Sequence, residues 1–292
     1  MATATRQGAT SVDGAALQIS ATRDRALLRR FLEQDRLRAA YAICDLEERE
    51  FARSKWGIGT RDGETIAVVL EYGGLTPQPL FVMGDGEAIA AILREIIRPR
   101  LVYLAADEEL LPSVEKVYRV DPGPRMLRMW VNREMFRPVH GPVSRLAPVD
   151  IVHLNRLYGL GFSGWLPAES IGLGVYYGIR SSGRLIAAAG THVISHEGRL
   201  AAVGNVLTHA DYRGRGFAKL TTSAVTAELL YSCDEVVLNV RADNPPAIAA
   251  YTALGYKVHN QFEERLAHRR GAPWDSILAQ LGRLIVRNKE PV

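Results

Sequence analysis

Only two cysteines occur in 292 residues, Cys44 and Cys233. They stand in unrelated contexts, with no C-x-x-C pair and no ligand-like spacing. A disulfide framework and a cysteine metal site are therefore excluded, no metal is expected, and both thiols read as small buried residues suited to a reducing cytoplasm. No apolar run reaches the length of a membrane span. The first stretch, MATATRQGATSVDGAALQIS, lacks the apolar core of a signal peptide and reads as a weakly ordered leader over residues 1–20. Blocks of like charge are also missing. The net charge is +4 and the arginines are scattered, which suits weak attraction to anionic ligands and argues against a nucleic-acid or membrane partner.

What is present is an ordinary globular composition, 47% apolar, on a length comfortable for two domains. One helix is predicted over 23–48, where Leu27, Phe31, Leu37 and Tyr41 recur at roughly helical intervals. Two strands flank an Asp62-Gly63 turn. A strand, a Gly-Asp-Gly turn and a helix follow, then strand, helix, strand. The second half repeats that order, with a hairpin at Ser182-Gly183. DGETIAVVL (62–70) aligns with SGRLIAAAG (182–190) without a gap, and VYRV (117–120) with GYKV (255–258). This is the pattern of an internal duplication. The proline- and glycine-bearing stretch from Pro138 to Pro148 places the boundary, giving a first domain over 21–140 and a second over 141–292.

The halves differ at one turn. Where the second reads THADYRGRGFAK, the first has only GDGEA. The preceding strand, 199–208, is interrupted by Gly204, a mark of a bulge or a close backbone approach. The helix after the turn carries Phe217, Leu220, Ala224, Ala227 and Tyr231 on one expected buried face. A helix start presents unpaired N–H groups and partial positive charge. Glycines allow close approach, and Arg213 and Arg215 add formal charge. Together they describe a phosphate cradle. The turn is not a P-loop, because no Gly-Lys pair follows Gly216. It is not a dinucleotide turn either, because Lys219 stands where a third glycine is needed.

RGRGFA resembles the R/Q-x-x-G-x-G/A motif of the GNAT superfamily of acyl-CoA-dependent N-acyltransferases. VLTHADY is similar to that family's fourth strand and turn, and LNVRADNPPAIAAYTALGYKV to its second hallmark. The resemblance covers residues 150–262. It implies two tandem GNAT-like α/β (α+β) domains, each a mixed, mostly antiparallel sheet flanked by helices, the first a degenerate copy. It further implies acetyl-CoA as cosubstrate, held by Val206, Leu207 and Thr208 on the strand, by Arg213, Gly214, Arg215, Gly216, Phe217, Ala218 and Lys219 at the turn, and by Asn244. Asn244 precedes Pro245 and Pro246 and is also a good helix N-cap. Gly255 is placed to stop that helix.

The implied reaction is direct attack of a primary amine on the thioester. A backbone N–H near Leu207 polarises the carbonyl. Tyr251, a phenol and hence a donor at neutral pH, serves as general acid for the departing thiolate. The strand offers Asn205 where many relatives carry a glutamate, so the proton acceptor is sought elsewhere, with Glu169 ranked before His209. Trp165, Tyr176 and Tyr177 are candidates to line an acceptor pocket, Tyr176 and Tyr177 facing opposite ways. A small-molecule amine is the favoured partner. The end, GAPWDSILAQLGRLIVRNKE, reads as an amphipathic helix that packs on the domain or forms a homodimer contact. Two other functions compete: a non-catalytic acyl-CoA-binding or sensing protein, favoured by the missing carboxylate, and an aminoacyl-tRNA transferase, disfavoured by the intact turn.

Overall fold

A computed structural model describes residues 16–159 and 166–271. In chain order the elements are β1 (Gln18–Thr22), α1 (Arg25–Leu32), α2 (Ala40–Cys44), α3 (Glu48–Phe51), β2 (Ser54–Arg61), β3 (Glu64–Tyr72), β4 (Gln78–Gly84), α4 (Gly86–Glu95), β5 (Leu101–Ala106), α5 (Leu111–Glu115), β6 (Tyr118–Val120) and β7 (Arg125–Asn132). There follow β8 (Ser144–Arg145), α6 (Ile151–Tyr158), α7 (Ala168–Leu173), β9 (Tyr176–Ser181), β10 (Arg184–Ser195), β11 (Leu200–Thr208), α8 (Phe217–Leu229), β12 (Glu235–Arg241), α9 (Pro245–Ala253) and β13 (Lys257–Arg269). Trp165 and the proposed C-terminal helix lie outside the described residues, as does most of the expected leader.

Two compact units divide the chain. Among the described residues, one holds 16–24, 53–123 and 264–271; the other holds 25–52, 124–159 and 166–263. In the first unit, β1 to β4 form an antiparallel meander and β5 runs parallel to β4. The tail of β13 pairs with β6. Val69, Leu80, Val82, Ile89, Ile92 and Leu104 make its core against α4. In the second unit, β8 to β11 repeat the meander and β12 runs parallel to β11. The two hairpins have the expected chemistry. Asp62 and Gly63 in one, and Ser182 and Gly183 in the other, all take positive φ, as a tight primed turn requires.

The units do not part at a single cut near residue 140. In the second unit β12 pairs next with β7, from Glu235↔Asn132 to Arg241↔Met126, and β7 pairs with the head of β13. Strand β7 precedes the expected boundary. Its ladder on β12 is unbroken, and Met129 and Val131 are buried with Val236 and Leu238. Each unit thus takes one strand from the other half of the sequence, β7 in one and the tail of β13 in the other.

The segment 25–52 also belongs to the second unit. The single helix expected over 23–48 is broken into α1, a 3-10 turn at Glu33–Asp35, α2 and α3. The break has a tertiary cause. Arg128 of β7, 5% exposed, donates to the carbonyls of Leu37 at 3.0 Å and Arg38 at 3.3 Å. An uninterrupted helix would commit those carbonyls to its own ladder. The same guanidinium bonds Asn239 Oδ1 at 2.7 Å and lies over the rings of Tyr41 and Phe262 at 5.0 and 5.2 Å.

The buried stripe of α8 also differs from expectation. Thr222, Val225, Thr226 and Leu229 are buried, whereas Tyr231, just beyond the helix, is 84% exposed. Thr226 fits inside because its hydroxyl bonds back to the helix, at the Thr222 carbonyl 2.8 Å away. Both cysteines are free and buried.

Arg128→Ala is expected to cost about 3 kcal/mol, because it leaves two carbonyls and an amide oxygen without their donor. Urea unfolding followed by tryptophan fluorescence measures it. A loss below about 0.5 kcal/mol would reduce the arginine to a surface substitution in energetic terms.

Candidate functional site

Strand β11 begins as an ordinary inner strand. Leu200 to Val203 pair with β12 on one side, from Leu200↔Glu235 to Val203↔Leu238, and with β10 on the other. Pairing to β12 stops at Val203, although β11 continues to Thr208 and β12 to Arg241. The cause is local. Between the pairs Gly190↔Gly204 and Ala188↔Leu207, β11 spends two residues where β10 spends one. Asn205 takes φ 52°, a left-handed conformation that asparagine tolerates better than most residues. The bulge falls one residue after Gly204, the position singled out in the sequence. Tyr158 Oη pins it by donating to the Asn205 carbonyl at 2.6 Å. The edge of 204–208 that faces β12 therefore has no partner strand. Val206, Leu207 and Thr208 lie along this half-buried stretch, and Thr208 Oγ1 is buried without a hydrogen-bond partner among the described residues.

The chain then turns. His209 Nδ1 accepts from the Asp211 amide at 3.3 Å and so caps a 3-10 turn at Ala210–Tyr212. Arg213 Nε donates to the Thr208 carbonyl at 3.4 Å, and Arg215 lies over the Tyr212 ring at 5.2 Å. Gly214 and Gly216 have φ 76° and 78°, and a Cβ added at either would meet nothing within 4 Å. Gly216 is the N-cap of the 13-residue helix α8 and supplies no side-chain cap. Among the described residues, none of the amides of 214–219 donates a hydrogen bond. Six unsatisfied donors meet the positive end of a helix there, with Arg213, Arg215 and Lys219 beside them. A polyanion such as a diphosphate fits this set, and a neutral ligand would leave its charge uncompensated.

The same point in the first copy is closed. Asp85 is the N-cap of α4, and its carboxylate accepts from the Ala88 amide at 2.9 Å. Strand β4 holds unbroken register with β3 from Glu71↔Leu80 to Ala67↔Gly84. A carboxylate already occupies the helix start, and no bulge opens the strand.

Asn244 caps α9 by accepting from the Ala247 amide at 3.3 Å, and Gly255 ends that helix region with φ 95°. Tyr251 on α9 is 7% exposed and belongs to the core that also contains Val203 and Leu238. Burial pushes its phenol up to about 12. Its hydroxyl has no hydrogen-bond partner among the described residues.

The two proposed proton acceptors have other attachments. Glu169, 76% exposed, sits in the first turn of the short α7 and pairs with Arg49 at 3.5 Å. His209 has its Nδ1 committed to the turn. Tyr176 and Tyr177 face opposite sides of β9, as alternation requires. Tyr177 Oη donates to Glu228 at 2.9 Å, whereas Tyr176 is buried and donates to the Thr191 carbonyl at 3.0 Å.

At the bulge the structure brings Asn205 and Tyr176, both noted in the sequence, together with His192 and Tyr41, which sequence reading did not place at the site. Asn205 Nδ2 donates to Tyr176 Oη at 3.2 Å. His192 Nε2 lies 3.2 Å from Asn205 Oδ1, and His192 Nδ1 lies 3.0 Å from Tyr41 Oη. The His192 imidazole covers Gly204 so closely that a Cβ there would collide with the ring. His192 is open to solvent, yet the protein around it removes enough hydration to hold its pKa below the ordinary histidine value. No sequence signal marked His192; its place against Gly204 follows from the pairing of β10 with β11. Among the described residues, no group of three or more His, Cys, Asp or Glu is placed to hold a metal ion, and no helix is long and apolar enough to cross a membrane.

Comparison with family models matches the FR47-like protein model over residues 176–266. Comparison with curated proteins gives no match. Solved structures with a similar fold include a Drosophila protein (15% identity, 87% of this chain and 99% of that one, TM-score 0.64). A GCN5-related N-acetyltransferase from Sphaerobacter thermophilus aligns at 16% identity over 88% of this chain and 97% of its own, with TM-score 0.59. A tandem GNAT protein from the clavulanic acid biosynthesis pathway aligns at 13% identity over 88% and 99%, with TM-score 0.53. With its duplicated strand order, its splayed β11 and β12 and the FR47-like segment in its second half, this chain has the tandem GNAT fold.

Proposed function

We propose that the second unit is an acyl-CoA-dependent N-acyltransferase that moves an acetyl group from acetyl-CoA to a small primary amine. The observation that carries this reading is the row of six free amides at 214–219 beside an unpaired strand edge at 204–208. The amides suit the diphosphate, and the strand edge offers the pantetheine arm backbone partners of its own kind. Thr208 Oγ1, buried and without a partner, suits a polar group of the arm.

In this reading the thioester lies against the end of β11, where a backbone N–H near Leu207 polarises its carbonyl. The amine attacks directly, the C–N bond forms and the C–S bond breaks. Tyr251 donates its proton to the leaving sulfur. Burial keeps that proton in place through neutral and mildly alkaline pH, because the phenol is pushed up to about 12. A raised folded-state value also means that Tyr251 favours the folded state fully below the usual tyrosine pKa and loses that contribution as pH climbs toward 12.

The alternative reading, an acyl-CoA sensor without turnover, is favoured by the absence of a carboxylate on β11. Turnover separates the two.

Acetyl-CoA at about 100 times its Kd is expected to stabilise the protein by about 2.7 kcal/mol, read as a raised melting temperature. NADH is expected to leave the melt unchanged. Gly216→Glu should abolish the acetyl-CoA shift, since it places a carboxylate among the free amides at a φ of 78°. Tyr251→Phe should lower kcat for thiol release, scanned over a panel of primary amines, roughly a hundredfold with little change in acetyl-CoA Kd. A Tyr251→Phe protein as fast as the wild type would remove the general acid from the mechanism.

A further inference from the structure

We propose that His192 is the proton acceptor for amine attack, reached through the hydroxyl of Tyr41, with Asn205 and Tyr176 as positioning residues that set its tautomer; this rests on the transfer reading above.

The hydrogen-bond directions follow one from the next. Tyr176 has a single hydroxyl hydrogen, and it goes to the Thr191 carbonyl at 3.0 Å. Its oxygen then serves only as acceptor, so the Asn205 group facing it at 3.2 Å is the amide NH₂. That turns Asn205 Oδ1 toward His192 Nε2 at 3.2 Å. Two acceptors do not bond, so Nε2 carries the hydrogen. In the neutral imidazole the lone pair is therefore on Nδ1, 3.0 Å from Tyr41 Oη, which donates to it. A backbone carbonyl on β10 thus decides, through three side chains, which imidazole nitrogen is basic.

The position suits the chemistry. His192 covers Gly204, three residues before Leu207 on the same strand. The Tyr41–His192 contact is exposed to solvent. The titratable and charged groups around the imidazole are Tyr41 of α2, Tyr176 of β9, Tyr158 of α6 and Arg128 of β7, the last over the Tyr41 ring at 5.0 Å. Glu228 of α8 meets Tyr177, on the opposite face of β9 from Tyr176. Loss of hydration keeps His192 neutral near pH 7 and ready to accept a proton.

An ammonium proton passes to Tyr41 Oη as the hydroxyl proton moves to His192 Nδ1, leaving a free amine and an imidazolium. The amine attacks, and its second departing proton balances the one that Tyr251 gives the thiolate. The imidazolium releases its proton to solvent. Tyr41 comes from the first half of the sequence but belongs to the second unit, as His192 does.

Nitrogen-15 NMR of the full chain reads the tautomer and needs no acceptor. The Nε2–H form is expected at neutral pH with a pKa below the ordinary histidine value; the Nδ1–H form overturns the relay. Thiol release from acetyl-CoA is then followed against pH with ethylamine, protonated at neutral pH, and hydroxylamine, largely unprotonated there. His192→Gln is expected to slow ethylamine roughly a hundredfold and hydroxylamine less than about tenfold, and to erase the acidic limb of the profile. Tyr41→Phe, which keeps the ring over Arg128, is expected to show the same preference. Asn205→Asp sets a carboxylate against Nε2–H and is expected to move the limb to higher pH. Equal losses with both amines, or a limb that stays put, overturn the proposal. A retained acetyl-CoA melt shift in His192→Gln confirms an intact cosubstrate site. A wild-type protein that binds acetyl-CoA yet releases no thiol with any member of the primary-amine panel overturns the transfer reading, and an Nδ1–H tautomer overturns the relay by itself.

Discussion

The left-handed turn at Asn205 is the constraint on which the site depends. Upstream of it β11 is satisfied on both edges. Downstream, one edge loses its partner and faces outward with main-chain polar groups to spare. Unpaired backbone groups in a half-buried strand are costly unless something else meets them. The fold keeps them because the rest of the strand is over-determined: Val203 and its neighbours are sealed in the core, and Tyr158 fixes the Asn205 carbonyl. The same turn aims the Asn205 side chain at Tyr176 and His192. One backbone irregularity thus opens the edge and gathers the polar side chains.

The first copy shows what the fold does without that irregularity. Its strand β4 stays in register to Gly84, and Asp85 neutralises the start of the next helix with its own carboxylate. The element order is retained and the unpaired helix start is not. Yet the first half of the sequence is not merely scaffold. Strand β7 supplies Arg128, and α2 supplies Tyr41, both to the second unit. Arg128 holds the segment around Leu37 and Arg38 by its carbonyls and stacks on Tyr41, so an arginine buried in the sheet sets where a hydroxyl on a helix ends up.

Much of this was legible in the sequence where the chemistry is local. The hairpins at Asp62-Gly63 and Ser182-Gly183 followed from residues that accept positive φ. The cap at Asn244 followed from the prolines behind it, and the free helix start at Gly216 from its glycines. The burial of Tyr251 was visible in the helical spacing of Ala247, Tyr251 and Leu254. The buried face of α8 was not, because threonines that bond back to their own helix count as polar in a pattern yet pack as apolar. The break in the helix over 23–48 was hidden too, since its cause is a guanidinium about 90 residues away.

The sequence by itself determined the order of elements, the duplication and the place where unpaired amides gather at a helix start, because each follows from neighbours along the chain and from what a turn or a helix end physically needs. Tertiary structure alone decided which strands each unit holds, where the bulge ends the parallel pairing, and that Tyr41, Tyr176, His192 and Asn205 meet. Those contacts join positions up to 151 residues apart, and their hydrogen-bond directions exist only once the Thr191 carbonyl, the two tyrosines, the amide and the imidazole are in place together.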